Sequence, residues 1–91
     1  MIGDDEVLHV LVWEVSTPVF GSAHRYKYSF AYVCDDVCVV RYDNERGKGD
    51  HRHIDDEETR YEFNSIGQLE TDFSRDVREW RVRHGRLHRE K

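Results

Sequence analysis

Polar and apolar residues alternate through much of the first two thirds of the chain, which is the pattern of antiparallel strands. The clearest case is residues 25–33, where every second position is aromatic, so one side of this strand is predicted to face a core. The same reasoning predicts strands over residues 6–16, 25–33, 37–45, 50–54 and 59–63. The first of these is apolar on both sides, so we expect it near the centre of the sheet.

A helical period replaces the alternation after residue 63. Apolar residues recur at spacings of 3, 4, 4 and 3, at Ile66, Leu69, Phe73, Val77 and Trp80. This spacing places them in one stripe along an amphipathic helix, predicted over residues 66–83. Ser65 is the expected N-cap with Gln68 as its capping-box partner, and Gly85 is the expected stop.

Strands joined in hairpins and followed by one helix predict an α+β fold, with an antiparallel meander sheet of about five strands and one C-terminal helix packed on a face. A chain of 91 residues forms a single domain, here a sheet over residues 6–63, a helix over 66–83 and a basic tail over 84–91. The opposite face of the sheet must be covered by loops, a partner or a second copy, so a homodimer is one expectation.

The composition limits the function more than the fold. Charged residues make up 36% of the chain and the net charge is −5, which argues against wholesale nucleic-acid binding. Aromatic residues make up 12%, more than a disordered tail would carry. Residues 78–91 are locally basic, which predicts either an acidic or phosphate partner for this end or a solvated helix face.

The sequence also predicts where the protein is found. No apolar run is long enough for a membrane span, and no signal peptide is recognisable, so we expect a cytoplasmic protein with no membrane partner. Cys34 and Cys38 are then expected to be reduced thiols that pack as small core residues. There is no second cysteine pair to complete a zinc site.

The unusual segment is residues 41–53, RYDNERGKGDHRH, in which histidines and cationic side chains are interleaved with acids. A turn centred on residues 47–48 would place Asn44 opposite His51 and Tyr42 opposite His53. A turn centred on residues 35–36 would place Lys27 opposite Asn44. Since side chains alternate across a sheet, this register predicts that all five groups share one face. A slip of one residue would change the set.

A lysine, an amide, a phenol and two histidines on one face suit metal-independent cleavage of RNA. One histidine would take the 2′-hydroxyl proton and the other would protonate the departing 5′-oxygen, while cations stabilise the phosphorane. The predicted catalytic residues are His51, His53, Lys27, Asn44 and Tyr42. The predicted phosphate and RNA contacts are Arg46, Lys48, Arg52, Tyr26 and Tyr28, the tyrosines as stacking platforms. This mechanism requires no cofactor and no metal.

Two other interpretations of the segment stay open. A charged hairpin with histidines can be a solvated edge of the sheet with no chemistry. Alternatively, Asp43, Asp50, His51 and His53 could bind zinc or manganese, because a His-x-His pair on a strand aims both imidazoles the same way. The predicted register argues against the metal, since it places both aspartates on the other face.

Three segments of the chain resemble the TumE family of toxins from bacterial and archaeal toxin–antitoxin systems. They are residues 24–28 (HRYKY), residues 41–53, and residues 61–63 (YEF) with Leu69, Asp72 and Phe73 of the helix. The resemblance covers roughly residues 7–80. The positions that match the family motif are Tyr26, Lys27, Tyr28, Tyr42, Asp43, Asn44, Lys48, His51 and His53.

The resemblance implies a small intracellular toxin of a type II toxin–antitoxin system. Its partner would be a helix-turn-helix antitoxin encoded beside it, which neutralises the toxin and often represses the operon with it. The resemblance carries over no catalytic residues. Three functions therefore remain: an RNA-cleaving toxin, a non-catalytic module that docks on nucleic acid or the translation machinery, and a subunit that works only in complex with its antitoxin.

Overall fold

The computed structural model describes residues 3–86 and confirms the α+β meander. One antiparallel sheet has the strand order β1-β2-β3-β4-β5, and a single helix follows it. The strands are β1 (Glu6–Glu14), β2 (Tyr26–Cys34), β3 (Val37–Glu45), β4 (Gly49–Ile54) and β5 (Glu57–Arg60), and the helix is α1 (Ile66–Arg83). The bounds of β3 and α1 are those predicted, whereas β5 begins two residues earlier and ends three residues earlier than expected.

The core lies between α1 and one face of the central strands. The aromatic side of β2 meets the apolar stripe of the helix, where Phe30 packs edge-on against Phe73 and Tyr32 against Trp80. From β3, Tyr42 packs against Phe73 and donates a hydrogen bond to the Asp76 carboxylate. The alternation of β2 and the helical period of α1 therefore specify the same interface from its two sides.

Both ends of α1 have recognisable caps. The Ser65 hydroxyl accepts a hydrogen bond from the Gln68 amide at 3.0 Å, as predicted for the N-cap. The reciprocal half of the capping box does not form, because the Gln68 side chain donates to Asp72 instead. After the C-cap at His84, Gly85 adopts a φ of +70°, the left-handed conformation that commonly ends helices.

The predicted register is wrong by one residue in the part of the sheet that matters for the site. Strand β3 pairs with β4 so that Asp43 faces His51, Tyr42 faces Arg52 and Asn44 faces Asp50. The reason is the turn, which leaves residues 46–48 unpaired between Glu45 and Gly49 instead of being centred on two residues. A shift in the β2–β3 pairing between Tyr32 and Val33 changes the first hairpin in the same way.

Strand β1 lies at the edge of the sheet, so its predicted place near the centre is wrong. Its apolar side chains on both faces remain 38–57% exposed: Val7, Leu8, Val10, Leu11, Val12 and Trp13. The helix covers the middle of the sheet and leaves this strand open on both sides. The apolar residues on both sides of β1 therefore belong to an exposed edge strand and not to a buried central strand.

The loop between β1 and β2 packs against the β3–β4 turn. The Gly47 amide donates to the Phe20 carbonyl at 2.7 Å, and the backbones of Gly21 and Gly49 come so close that a Cβ on Gly49 would lie 2.5 Å from the Gly21 oxygen. Both glycines have positive φ, so glycine is required there for conformation as well as for space. This contact positions Phe20 beside the histidine-bearing hairpin.

The basic end of the helix contacts the N-terminal end of β1. Arg81 pairs with the buried Glu6 carboxylate at 3.0 Å, and Arg86 pairs with Asp5 at 2.8 Å and with Asp35 at 3.1 Å. An acidic partner for this basic region is thus present within the chain. The rest of the predicted tail, residues 87–91, lies outside the described residues.

The two cysteines have different surroundings. Cys34 is buried and Cys38 is exposed, and both are free thiols, so the prediction that both pack in the core is wrong for Cys38. Among residues 3–86, no helix is long and apolar enough to cross a membrane.

Candidate functional site

The two histidines lie on the face of the sheet away from the helix, which we call the open face. One row across it runs through Ser29, Asp43, His51 and Arg60, and the next through Ala31, Arg41, His53 and Glu58. Because His51 and His53 are two positions apart on β4, they share this face in any register. The actual register determines which side chains stand beside them.

Five side chains from three strands form one group, which we call the open-face cluster: Asp43, Glu45, His51, His53 and Glu58. His51 Nε2 lies 2.7 Å from Asp43 Oδ1, 3.5 Å from Glu58 Oε2 and 3.6 Å from Glu45 Oε1. His53 Nε2 lies 3.3 Å from the same Glu58 oxygen. The two imidazole rings are 5.4 Å apart.

Hydrogen bonds assign different roles to the two histidines. His51 Nδ1 lies 3.1 Å from the Gly49 carbonyl oxygen, which can only accept, so we infer that Nδ1 carries a proton and Nε2 faces the carboxylates. His53 Nε2 instead lies between a donor and an acceptor, 3.2 Å from Arg41 Nη2 and 3.3 Å from Glu58 Oε2. The same type of side chain thus occupies two different electrostatic environments.

The cluster also contains unsatisfied polar atoms. In the part of the chain that the structure describes, the buried side-chain atoms without a hydrogen-bond partner are Arg41 Nε, Asp43 Oδ1 and His51 Nε2, and all three meet here. Asp43 Oδ1 and His51 Nε2 are close, but their orientation does not make a hydrogen bond. Buried polar groups are rarely left unpaired in native proteins, so this concentration in one place makes the cluster the candidate site.

The cations predicted to bind phosphate are divided between the two faces. Lys48 borders the cluster, where it pairs with Glu58 at 2.9 Å and lowers the pKa of that carboxyl through a hydrogen bond. Arg46 is exposed in the adjacent turn. Arg52 lies on the helix side, 3.6 Å from Asp76, away from the histidines. Lys27 is on the open face, and its ammonium group donates to the Asn44 carbonyl.

Tyr42 and Asn44 are placed on the helix side, in contrast to the predicted convergence with the histidines. Tyr42 is fully buried and bonded to Asp76. Asn44 is also fully buried; its Oδ1 accepts from the Tyr28 amide at 3.1 Å, and its Nδ2 donates to the Tyr26 carbonyl at 2.7 Å. The one-residue difference in register moved both residues to the other face, and their contacts are those of core side chains.

The tyrosines predicted as stacking platforms are also on the helix side. Tyr28 is fully buried, and its hydroxyl donates to Asp50, an arrangement in which burial, then the hydrogen bond and the charge of Asp50, raise the pKa of the phenol. Asp50 also accepts from Ser22 at 2.6 Å and contacts His24 at 2.6 Å, while Tyr26 and His24 lie against Phe63. This polar network holds the start of β2 to the start of β4.

A more exposed aromatic lies in the loop that contacts the β3–β4 turn. Phe20 is 71% exposed and lines a cavity of about 590 Å³ with Thr17, Pro18, Val19, Lys27 and Arg46. An exposed ring next to two cationic side chains suits an unstacked base and its phosphate.

The site residues predicted from the sequence do not include Glu45, Glu58 or Phe20. Glu58 lies between two of the predicted strands, whereas in the structure a two-residue turn at Asp55–Asp56 places it directly opposite His53. Phe20 lies between the first two predicted strands. The positive φ of Asp55 is the conformation of a tight hairpin turn, and the repeated Asp-Asp pair was the available signal.

Comparison with known protein families decides the affiliation of the chain. The profile of the family described as Toxin TumE matches residues 4–81. This chain belongs to the TumE toxin family. The match spans the sheet and nearly all of α1, and membership implies an antitoxin as partner. No curated protein and no solved structure matches the chain.

Proposed function

We propose that this TumE-family toxin acts on RNA and cleaves its phosphodiester backbone at the open-face cluster. The observation that carries the proposal is the pair of histidines on one face, with ring centres 5.4 Å apart, in which Nε2 of His51 faces carboxylates while Nε2 of His53 lies between a guanidinium and a carboxylate. Pairs of titratable groups in contrasting environments are the usual basis for separate acid and base roles.

The chemistry assigns one proton transfer to each histidine. Nε2 of His53, the more exposed of the two histidines, takes the proton of the 2′-hydroxyl as the hydroxyl oxygen attacks the phosphorus. His51, whose Nε2 lies 2.7 Å from Asp43 Oδ1, donates a proton to the 5′-oxygen as the P–O bond breaks. The products are a 2′,3′-cyclic phosphate and a 5′-hydroxyl, and the two histidines end with their protons exchanged.

The surrounding residues supply binding. Arg46 and Lys48 lie at the exposed edge of the cluster, where they can stabilise phosphoryl charge, and Phe20 offers a face for a base. The proposed chemistry does not involve Tyr42, Asn44, Arg52 or Tyr28, because their side chains lie on the helix side of the sheet.

The test is growth arrest by His53→Gln, compared with His9→Gln as the matched control. Both histidines lie on the open face, but His9 is exposed on the edge strand and distant in the sheet order from β4. We expect His53→Gln to abolish growth arrest while antitoxin binding and the thermal midpoint stay unchanged. Full toxicity of this variant at normal protein levels would refute the assignment.

A second candidate function is a toxin that only docks on its target. The exposed apolar strand β1 favours it, since patches of this kind usually mark contact surfaces. In that case Leu11→Lys, on the open face of β1, would abolish growth arrest and His53→Gln would not. Purified protein would also leave RNA uncut.

A further inference from the structure

We propose that the open-face cluster binds a divalent metal ion through His51, His53 and Glu58. The inference stands on the geometry of the cluster, and the metal-bound form is distinct from the form that performs the proton transfers proposed above, because a ring nitrogen that binds an ion cannot also exchange a proton. His51 and His53 occupy alternate positions of β4, and Glu58 is the direct partner of His53 on β5. The three ligands are thus held by adjacent backbone positions of one hairpin.

Two of the three distances between ligand atoms are close to those of a coordination sphere. An ion with bonds of about 2.1 Å holds neighbouring ligand atoms roughly 3.0–3.4 Å apart in octahedral or tetrahedral geometry. Glu58 Oε2 lies 3.5 Å from His51 Nε2 and 3.3 Å from His53 Nε2. All three ligand atoms lie within 4.8 Å of one another.

The buried polar atoms without a hydrogen-bond partner also indicate a cation in this cluster. Nδ1 of His51 donates to a carbonyl, so its Nε2 presents a lone pair in the neutral ring. That lone pair faces oxygens of Asp43, Glu45 and Glu58, and the side chain is only 5% exposed. Lone pairs facing one another in a buried site are repulsive unless a positive charge lies between them. A metal ion supplies that charge.

The hydrogen bond at the other ring nitrogen of His51 is the kind that metal-binding histidines commonly make. The bond from His51 Nδ1 to a backbone carbonyl fixes the ring with Nε2 directed into the cluster. Asp43 and Glu45, which form a second triad with His51, add negative charge beside the ion. An ion would also offset the repulsion between these carboxylates and an RNA phosphate.

The ligand set selects the kind of ion. Imidazole nitrogens and carboxylate oxygens suit Zn²⁺ and Mn²⁺, whereas Mg²⁺ prefers oxygen ligands and water. The corrected register matters here, because it returns Asp43 to the face of the histidines. The aspartate that argued against a metal in the predicted register now supports one.

Two cationic side chains compete with the ion. Lys48 Nζ lies 2.9 Å from Glu58 Oε2, and Arg41 Nη2 lies 3.2 Å from His53 Nε2. The Lys48–Glu58 pair is largely exposed, so it is weak and easily displaced. Removing the Lys48 charge should therefore strengthen metal binding, a result that a purely structural role for the cluster does not predict.

The experiment is a calorimetric titration of the untagged, metal-stripped protein with Zn²⁺ and Mn²⁺, with Mg²⁺ as the comparison ion. We expect one equivalent of Zn²⁺ or Mn²⁺ to bind and the thermal midpoint to rise with its concentration. Affinity should fall at least about tenfold in His53→Gln and Glu58→Gln, stay unchanged in His9→Gln and increase in Lys48→Met. His53 and Glu58 are partly exposed, so their variants should fold.

Absence of Zn²⁺ and Mn²⁺ binding by the wild type, or equal binding by His53→Gln and Glu58→Gln, overturns the inference. The readout is independent of RNA, so the two proposals fail separately. If no metal binds and His53→Gln still loses RNA cleavage, only the metal site is wrong. If metal binds and RNA stays intact, only the proposed function is wrong.

Discussion

Replacing Asn44 by Ala distinguishes a core role from the catalytic role predicted for this residue. The substitution removes the hydrogen bonds of Asn44 to the Tyr28 amide and the Tyr26 carbonyl, both near the start of β2. Leaving one buried and one partly buried backbone group unpaired costs about 1–3 kcal/mol each. We therefore expect the free energy of unfolding to fall by about 2–5 kcal/mol, a large part of the ~5–15 kcal/mol that stabilises a domain.

Urea unfolding followed by tryptophan fluorescence measures this loss. With a slope of roughly 1–2 kcal/mol per molar urea, a loss of about 3 kcal/mol lowers the midpoint by about 1.5–3 M. Asn64→Ala is the matched control, because Asn64 is exposed just before the helix cap and should leave the midpoint nearly unchanged. An Asn44→Ala midpoint within about 0.3 M of the wild type would refute the reasoning, and lost RNA cleavage by such a stable variant would restore the catalytic role.

Two further predictions concern stability. The hydrogen bond from the Tyr32 hydroxyl is the main cause that lowers the pKa of the buried Glu6 carboxyl. Ionised Glu6 therefore stabilises the fold above its ordinary pKa of about 4.3, and this stability is lost as the pH falls below that value. In Glu6→Gln, the urea midpoint should change less between pH 6 and pH 3 than in the wild type. Gly49→Ala should destabilise by about 1–3 kcal/mol more than Gly47→Ala, because both have positive φ but only at Gly49 does the new Cβ meet the Gly21 backbone. Equal thermal midpoints for the two alanine variants would contradict the second prediction, and an unchanged pH profile in Glu6→Gln would contradict the first.

Much of the fold could be predicted from the periodicity alone. The alternation of β2 and the stripe of α1 are strong patterns, and each describes one side of the same core. Strand β1 was misplaced because an apolar strand looks the same whether it is buried or exposed on an edge. Only the length of the helix and its position over the middle strands decide which strand is left open.

The site could be predicted only as far as it is independent of register. His51 and His53 share a face because they are two residues apart, whatever they pair with. Their neighbours depend on whether the turn has two or three unpaired residues, which a run with two glycines does not specify. The third unpaired residue in the turn makes Asp43, and not Asn44, the neighbour of His51. The site is therefore rich in carboxylates, whereas the predicted site contained an amide and a phenol.

The central claim is that the histidines of the open face perform the toxin's chemistry on RNA. The most direct measurement is incubation of a 5′-labelled single-stranded RNA with equal amounts of the folded wild type, His53→Gln and His9→Gln. Each protein is tested in two conditions, with Zn²⁺ or Mn²⁺ and in metal-free buffer. We predict that in metal-free buffer the wild type and His9→Gln cut the RNA to products ending in a cyclic phosphate and that His53→Gln does not. Intact RNA with a wild-type preparation that still arrests growth, or equal cutting by His53→Gln, would contradict the account.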